Sequence, residues 1–205
     1  MIAVIVPIYN TEKYLRETID SVICQTLSFA EHIRLILLDD ASTDGSFAIC
    51  EQYQKQYPKQ IVVKHYDTNQ GVSALRNEGV RIAGEMGDEL ITFLDSDDKL
   101  ADDAMEKAVQ YFDAHEDVFV AAIGIRYFDA YEGEQRLNWR FEKTDVVDIK
   151  KDYTYPHYYV GGVFLRHAVL DELHFDESMS FWEDALAVNQ VIVSQGKNGL
   201  IDGTH

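Results

Sequence analysis

Long apolar runs are missing from this chain, and so is any basic segment ahead of its first apolar residues. Nothing in it is long enough to cross a bilayer, and "MIAVIVPIYN" is short and interrupted by a proline. The sequence therefore reads as a soluble chain that begins with a buried strand. Basic residues are scarce: 18 Lys and Arg stand against 36 Asp and Glu, a formal charge of −18. Such a surface repels nucleic acid and anionic headgroups, and it repels a nucleotide diphosphate unless a cation mediates. Cysteine is nearly absent. Cys24 and Cys50 lack the C-x-x-C spacing of a metal or redox motif, and they read as buried, reduced thiols of a cytosolic protein. Neither a G-x-G-x-x-G fingerprint nor a G-x-x-x-x-G-K-[ST] loop is present, which disfavours a dinucleotide-binding fold and a P-loop enzyme. The aspartates also lack the spacing of an EF-hand calcium loop.

What is present is an alternation. "IAVIVPIY", "IRLILLDD", "IVVKHYD" and "ELITFLD" read as strands, and the segments between them have helical spacing. After Asn10, a candidate N-cap, one face carries Tyr14, Leu15, Thr18, Ile19, Val22 and Ile23. Phe47, Cys50, Tyr53 and Tyr57 form the next face, and Val72, Leu75, Gly79 and Ile82 the third. Continuous apolar strands in a β-α-β order imply a mostly parallel sheet with helices on both faces. The second half is less regular. "DKLADDAMEKAVQYF" predicts a helix, "VFVAAIGIRYF" a strand, "YYVGGVFLRHAVLDEL" a strand and short helix, and "FWEDALAVNQVIVSQG" a final helix. That half is expected to extend the sheet with some antiparallel strands. At 205 residues the chain is expected to form one domain.

Polar residues gather where the strands end: "PIYN", "DDASTDGS" and "DSDD". In doubly wound sheets ligands bind at the carboxyl ends of strands, so these three segments should share one crevice. Asp95, Asp97 and Asp98 place like charges close together at a strand end. Either a divalent cation compensates them, as hard ions take oxygen ligands, or they form a solvated turn that caps the next helix. Tyr9 reads either as a ligand-facing ring or as a packed core aromatic. Asp40 is either a hydrogen-bond acceptor for a ligand or part of an Asx turn. Arg76 is either a partner for carboxylate or phosphate or a surface arginine. Glu183 and Asp184 open a helix, where acids complement the dipole without further purpose. Two readings of the carboxylates as a whole remain beside a transferase: a metal-dependent phosphohydrolase or nucleotidyltransferase, and a Ca²⁺-binding interaction module.

"VIVPIYNTEKYLRETIDSVICQTL", "LILLDDASTDGS", "NQGVSALRNEG", "ITFLDSDD" and "FWEDALA", in that order and spacing, resemble glycosyltransferase family 2. The resemblance covers nearly the whole chain. It implies a Rossmann-like GT-A fold and an inverting, metal-dependent transfer from a nucleotide-sugar, a UDP-sugar by preference, to a glycan or lipid-linked acceptor in polysaccharide or cell-surface glycan synthesis. Residues 1–98 would form the nucleotide-binding half and residues 99–205 the acceptor-binding half. The resemblance also implies roles. Tyr9 would stack on the base above Pro7, Asp40 would accept from a pyrimidine N–H, and Asp39 would support the loop. Arg76 would serve the donor site, Asp95 the ribose, and Asp97 with Asp98 a Mn²⁺ or Mg²⁺ ion. Asp184 would be the catalytic base, with Trp182 and Glu183 on the acceptor side. Tyr153, Tyr155, His157, Tyr158 and Tyr159 are candidates to flank a sugar. Family members continue past the "ED" helix, so the acceptor half is expected to be truncated at its C-terminus. The expected location is cytoplasmic, at the inner face of the membrane through regions outside this chain.

Overall fold

The computed structural model describes residues 1–124, 126–128, 135–137, 144–151 and 160–202. The tyrosine-rich stretch at 153–159, named above as a candidate to flank a sugar, lies outside the described residues.

Four parallel strands occur in the expected places: β1 (Ile2–Ile8), β2 (Ile33–Asp39), β3 (Ile61–His65) and β4 (Leu90–Phe93). Every residue of β1, β2 and β4 is buried, as an apolar strand covered on both faces must be. Alternation divides their side chains between two cores. Val4, Val6, Leu35 and Leu37 face one side, where helices α1 (Leu15–Ile23), α3 (Ser46–Gln56) and α5 (Ala104–Ala114) pack. Ala3, Ile5, Ile36 and Leu38 face the other, against α4 (Val72–Glu85) and α6 (Glu183–Gln195). A one-turn helix α2 (Phe29–His32) leads into β2.

The full sheet has eight strands in the order β3-β2-β1-β4-β9-β5-β10-β8. The added strands are β5 (Val120–Ile123), β8 (Asp145–Asp148), β9 (Val163–Arg166) and β10 (Lys197–Ile201). Strand β9 runs antiparallel to both β4 and β5, and β8 runs antiparallel to β10. This is the mixed second half that the sequence suggested, with differences in detail. "VFVAAIGIRYF" is not one strand: β5 ends at Ile123, and β6 (Arg126–Phe128) pairs with β7 (Gln135–Leu137) in a separate two-stranded sheet. Strands β8 and β10 were not foreseen, because four- and five-residue runs with charged or glycine positions give no clear alternation.

The structure corrects three local expectations. Asn10 does not cap α1. Its φ is 54° and its Oδ1 accepts from the Thr43 backbone N–H at 2.8 Å, so the helix starts only at Leu15, after a turn closed on Thr11 O. Tyr14 and Val72 are exposed and do not belong to the apolar faces assigned to them. Cys24 is likewise exposed at the end of α1, whereas Cys50 is buried with its thiol pushed up to about 12 by burial; both are free thiols.

Pro7 sits within a central strand, where a missing N–H is normally unfavourable. The hydrogen bonds explain its tolerance. Ile5 O accepts from Leu94 N and Ile8 O from Asp40 N, so successive residues of β1 face β4 and β2 in turn. The nitrogen of Pro7 therefore faces the β4 side, where pairing has ended at Ile5 opposite Phe93.

Helix α4 approaches β1 closely because residue 79 is glycine. A Cβ there would lie 2.3 Å from Ile5 Cγ2 in a fully buried strand. Gly79→Ala gains about 1 kcal/mol of helix propensity, but overpacking of about 1–3 kcal/mol opposes it. The expected net result is a lower urea midpoint. Ile5→Ala should cost less in the Gly79→Ala background than in the wild type, since it removes the clashing methyl. Equal costs in both backgrounds would refute the steric account.

Candidate active site

Strand order reverses beside β1: the chain moves to β2 and β3 on one side, then returns to β4 on the other. A cleft of about 450 Å³ opens at the carboxyl ends of these strands, lined among others by Pro7, Tyr9, Asp40, Gly71, Asp95 and Asp97. This is the switch-point crevice expected of such sheets. It brings together the end of β1, the aspartate pair after β2, the loop before α4 and the aspartates after β4.

Tyr9 is 52% exposed and lines the cleft, so it is not a packed core aromatic. The aspartate pair divides its work. Asp39 is fully buried; its Oδ2 contacts His65 Nδ1 at 2.7 Å and accepts from Ser42 N at 3.3 Å. The His65 ring in turn stacks on Phe47 at 4.2 Å. Asp40 Oδ1 accepts from Gln70 N at 2.6 Å and Oδ2 from Gly71 N at 3.0 Å. Gly71 has φ 89°, a conformation that disfavours side chains and aims both amides at one carboxylate. A carboxylate offers about four lone-pair sites, so Asp40 keeps acceptor capacity toward the cleft.

The "DSDD" turn is fastened to α1. Asp98 N bonds Asp95 O at 3.0 Å, and Thr18 Oγ1 donates to Ser96 O at 2.9 Å. Ser21 Oγ accepts from Leu100 N, and Gln25 donates to Ala101 O while accepting from Met105 N. Thr18, Ser21 and Gln25 were not recognised as supports of the site. Their spacing, with Thr18 and Ser21 on α1 beside the apolar stripe and Gln25 just past the helix end, was the available signal. Asp97 and Asp98 are exposed, and Asp97 makes no hydrogen bond or ion pair with the other described residues.

Among the described residues no three His, Cys, Asp or Glu side chains form a metal-binding group. That suits Mg²⁺-like ions at phosphates, which use one or two carboxylates and take their other ligands from substrate and water. A cleft-lining carboxylate with no protein partner among the described residues is chemically fit for that part.

Arg76 is not a surface arginine. Its side chain is 6% exposed, with Nη2 at 3.2 Å from Asp95 Oδ1 and Nη1 at 3.1 Å from Glu183 Oε1. One guanidinium thus joins the acid after β4 to the acid that opens α6. Asp184, next to Glu183, is partly exposed in the first turn of α6. Before it, Trp182 is 62% exposed at φ 65° and Phe181 is 79% exposed. A bulky residue in the left-handed region is uncommon, and such strain concentrates at functional positions.

The family profile described as "Glycosyl transferase family 2" matches residues 3–174. The chain belongs to this family. Membership of a family described as glycosyl transferases disfavours the phosphohydrolase, nucleotidyltransferase and calcium-module readings. It is 41% identical over 203 residues to the Minor teichoic acid biosynthesis protein GgaA of Bacillus subtilis, covering 98% of this chain and 45% of that protein. The fold resembles crystal structures of S. aureus TarS. With UDP bound, the TM-score is 0.84 at 25% identity, covering 99% of this chain and 58% of that one. With UDP-GlcNAc bound, it is 0.83 at 25%, covering 99% and 56%. The architecture is thus the GT-A type, and the chain spans about half the length of these relatives. Among the described residues no helix is long and apolar enough to cross a membrane.

The two-amide clamp of Asp40 can be tested on its own. Asp40→Ala leaves two backbone donors unsatisfied and should cost about 1–3 kcal/mol in chemical denaturation. Asp40→Asn should be nearly as costly, because its NH₂ meets an N–H where an oxygen stood. Amide exchange at Gln70 and Gly71 should quicken in both variants. Wild-type stability in the Asn variant would show that a single acceptor suffices.

Proposed function

We propose that this chain transfers a sugar, with inversion, from a UDP-sugar to a hydroxyl of a teichoic-acid-type or related cell-surface glycan. The observation that carries this reading is the shared crevice: Tyr9, Asp40, Asp95 and Asp97 line one cleft, and Arg76 ties Asp95 to Glu183 of the "ED" helix. Support for the donor comes from the UDP and UDP-GlcNAc held by TarS. Support for the acceptor class comes from the teichoic acid role in GgaA's name.

In this reading Tyr9 offers a ring for the base above the buried Pro7, and Asp40 offers its spare acceptor capacity to a uracil N–H. Asp95 faces the ribose. Asp97, with Asp98 beside it, would hold Mn²⁺ or Mg²⁺, which when bound offsets the charge of the departing diphosphate. Asp184 accepts the proton of the acceptor hydroxyl. The freed oxygen pair attacks the anomeric carbon from the face opposite the nucleotide. The carbon–phosphate-oxygen bond breaks, and its electrons leave with UDP. One displacement gives one inversion, with no covalent enzyme intermediate. Exposed Trp182, beside Phe181, offers an apolar face on the acceptor side. Glu183 contributes from the same side by holding the start of α6. Action at the cytoplasmic face of a membrane, reached through regions outside this chain, belongs to the same proposal.

Asp97→Asn keeps size but removes a charged ligand. Calorimetric affinity for UDP with Mn²⁺ should fall, and the difference from wild type should vanish when Mn²⁺ is withheld. Equal affinity of both proteins in the presence of Mn²⁺ would remove Asp97 from the metal site.

Asp184→Asn preserves shape but is a poor proton acceptor. Its kcat for transfer should drop by about 10²–10⁴-fold with donor binding nearly intact. A near wild-type rate would sink the base assignment, and a product that retains the donor's anomeric configuration would sink the mechanism.

A further inference from the structure

We infer that the adjacent residues Arg76 and Asn77 form a latch on α4 that sets the base-bearing helix against the donor cleft, with Arg76 a positioning residue for transfer. The inference rests on the reading of Asp184 as the base.

Two contacts define the latch. The amide of Asn77 pairs with the backbone of Phe175 in both directions: Nδ2 donates to Phe175 O at 2.9 Å, and Oδ1 accepts from Phe175 N at 2.9 Å. This side chain imitates a neighbouring strand and fixes the chain at residue 175. One residue earlier, Arg76 reaches Glu183 and Asp95 together. Its guanidinium lies over the Phe175 ring at 5.6 Å, and that ring packs edge-on against Phe93, the last residue of β4, at 5.2 Å.

Residues 176–182 run between these two anchors. Among them, Asp176 Oδ1 accepts from both Ser178 N and Ser178 Oγ, which holds its carboxyl below the usual range, and Met179 N bonds Asp176 O. These contacts are internal to the loop, and Glu177 Oε1 accepts from Asn77 Nδ2 at 3.1 Å, a further tie to α4. Phe181 and Trp182, at the far end of the loop, are exposed. The anchors at 175 and 183, on either side of it, both originate on α4.

Arginine is required by geometry. Its planar fork reaches two carboxylates at once, whereas lysine carries a single point charge on a flexible stem. Among the described residues the buried Arg76 Nε has no hydrogen-bond partner, so the two Nη atoms make the guanidinium's contacts with both acids. Burial of an arginine between two acids is weak evidence for stability as such, since desolvation offsets much of the attraction. Placement of Asp184 relative to the donor is the use that the arrangement fits.

The test is Arg76→Lys in the intact protein, reading kcat for transfer, calorimetric UDP affinity and thermal unfolding. A displacement of about 1 Å at a reacting group costs about 10²-fold in rate, so kcat should fall on that scale while UDP affinity falls far less. Glu183→Ala should show the same split. The effects of Arg76→Lys and Glu183→Ala on kcat should be far from multiplicative in the double variant, as expected for two ends of one contact. If Arg76→Lys fails to fold, the split in Glu183→Ala alone decides. Unchanged kcat in the folded variants, or UDP affinity falling in step with kcat, would overturn the latch. Loss of transfer in Asp184→Asn with full rate in Arg76→Lys would sink the latch and spare the base assignment; the reverse pattern would sink the base assignment.

Discussion

Carboxylates crowd the carboxyl end of a sheet whose strands are buried on both faces, and each has to be compensated in a region poor in water. This constraint organises the site. Asp39 meets His65, Asp40 meets two backbone amides, and Asp95 and Glu183 share the charge of Arg76. The same end of the molecule therefore holds acids stabilised by three different kinds of partner. Asp97 differs: it is exposed to the cleft and unpaired among the described residues. An acid left in that condition beside compensated ones is where an external cation gains most. At the amino ends of the strands the chemistry is simpler, with a buried Arg34–Asp88 pair at 2.8 Å joining the start of β2 to the turn before β4.

The fold was legible where burial on both faces leaves a continuous apolar run. β1, β2 and β4 have no exposed residue, so no competing pattern interrupts them. β8 and β10 were illegible because their pairing is decided by register against β5 and each other, not by local pattern. The same divide holds in the site. Strand-end residues such as Tyr9, Asp40 and Asp95 could be placed at one crevice from element order alone. Contacts between remote segments could not: Arg76 and Glu183 are 107 residues apart. A signal for Arg76 was nevertheless available. It lies on the stripe that buries Leu75, Gly79, Val80 and Ala83, and an arginine on a buried stripe requires acids to meet it. Asn10 misled for the converse reason: a good capping residue was engaged by the Thr43 loop instead.

The antiparallel strand β9 explains why a helix has to connect the two halves of the site. It lies between β4, whose end carries Asp95, and β5, and so separates the switch-point cleft from the outer strands of the sheet. Helix α4 packs on β1, is held close by Gly79, and reaches Phe175 and Glu183 from its adjacent residues 76 and 77. The rigidity of β1 is thereby passed to the start of α6 through one helix and two side chains.

That arrangement separates two demands that otherwise conflict. Donor chemistry needs fixed geometry, which strand ends in a close-packed interior supply. An acceptor surface benefits from freedom to vary. Here the chain from 176 to 182 is held at both ends by α4, with Glu177 also tied to Asn77 and Asp176 to Ser178. In the proposed reading the exposed Phe181 would contribute to the face presented to an acceptor. Because Asp184 follows the anchored Glu183 directly, its position depends on the anchors and the packing of α6, not on the sequence of the loop. If Asp184 is the base, as proposed, acceptor preference and base placement would thus sit in neighbouring residues held by different contacts.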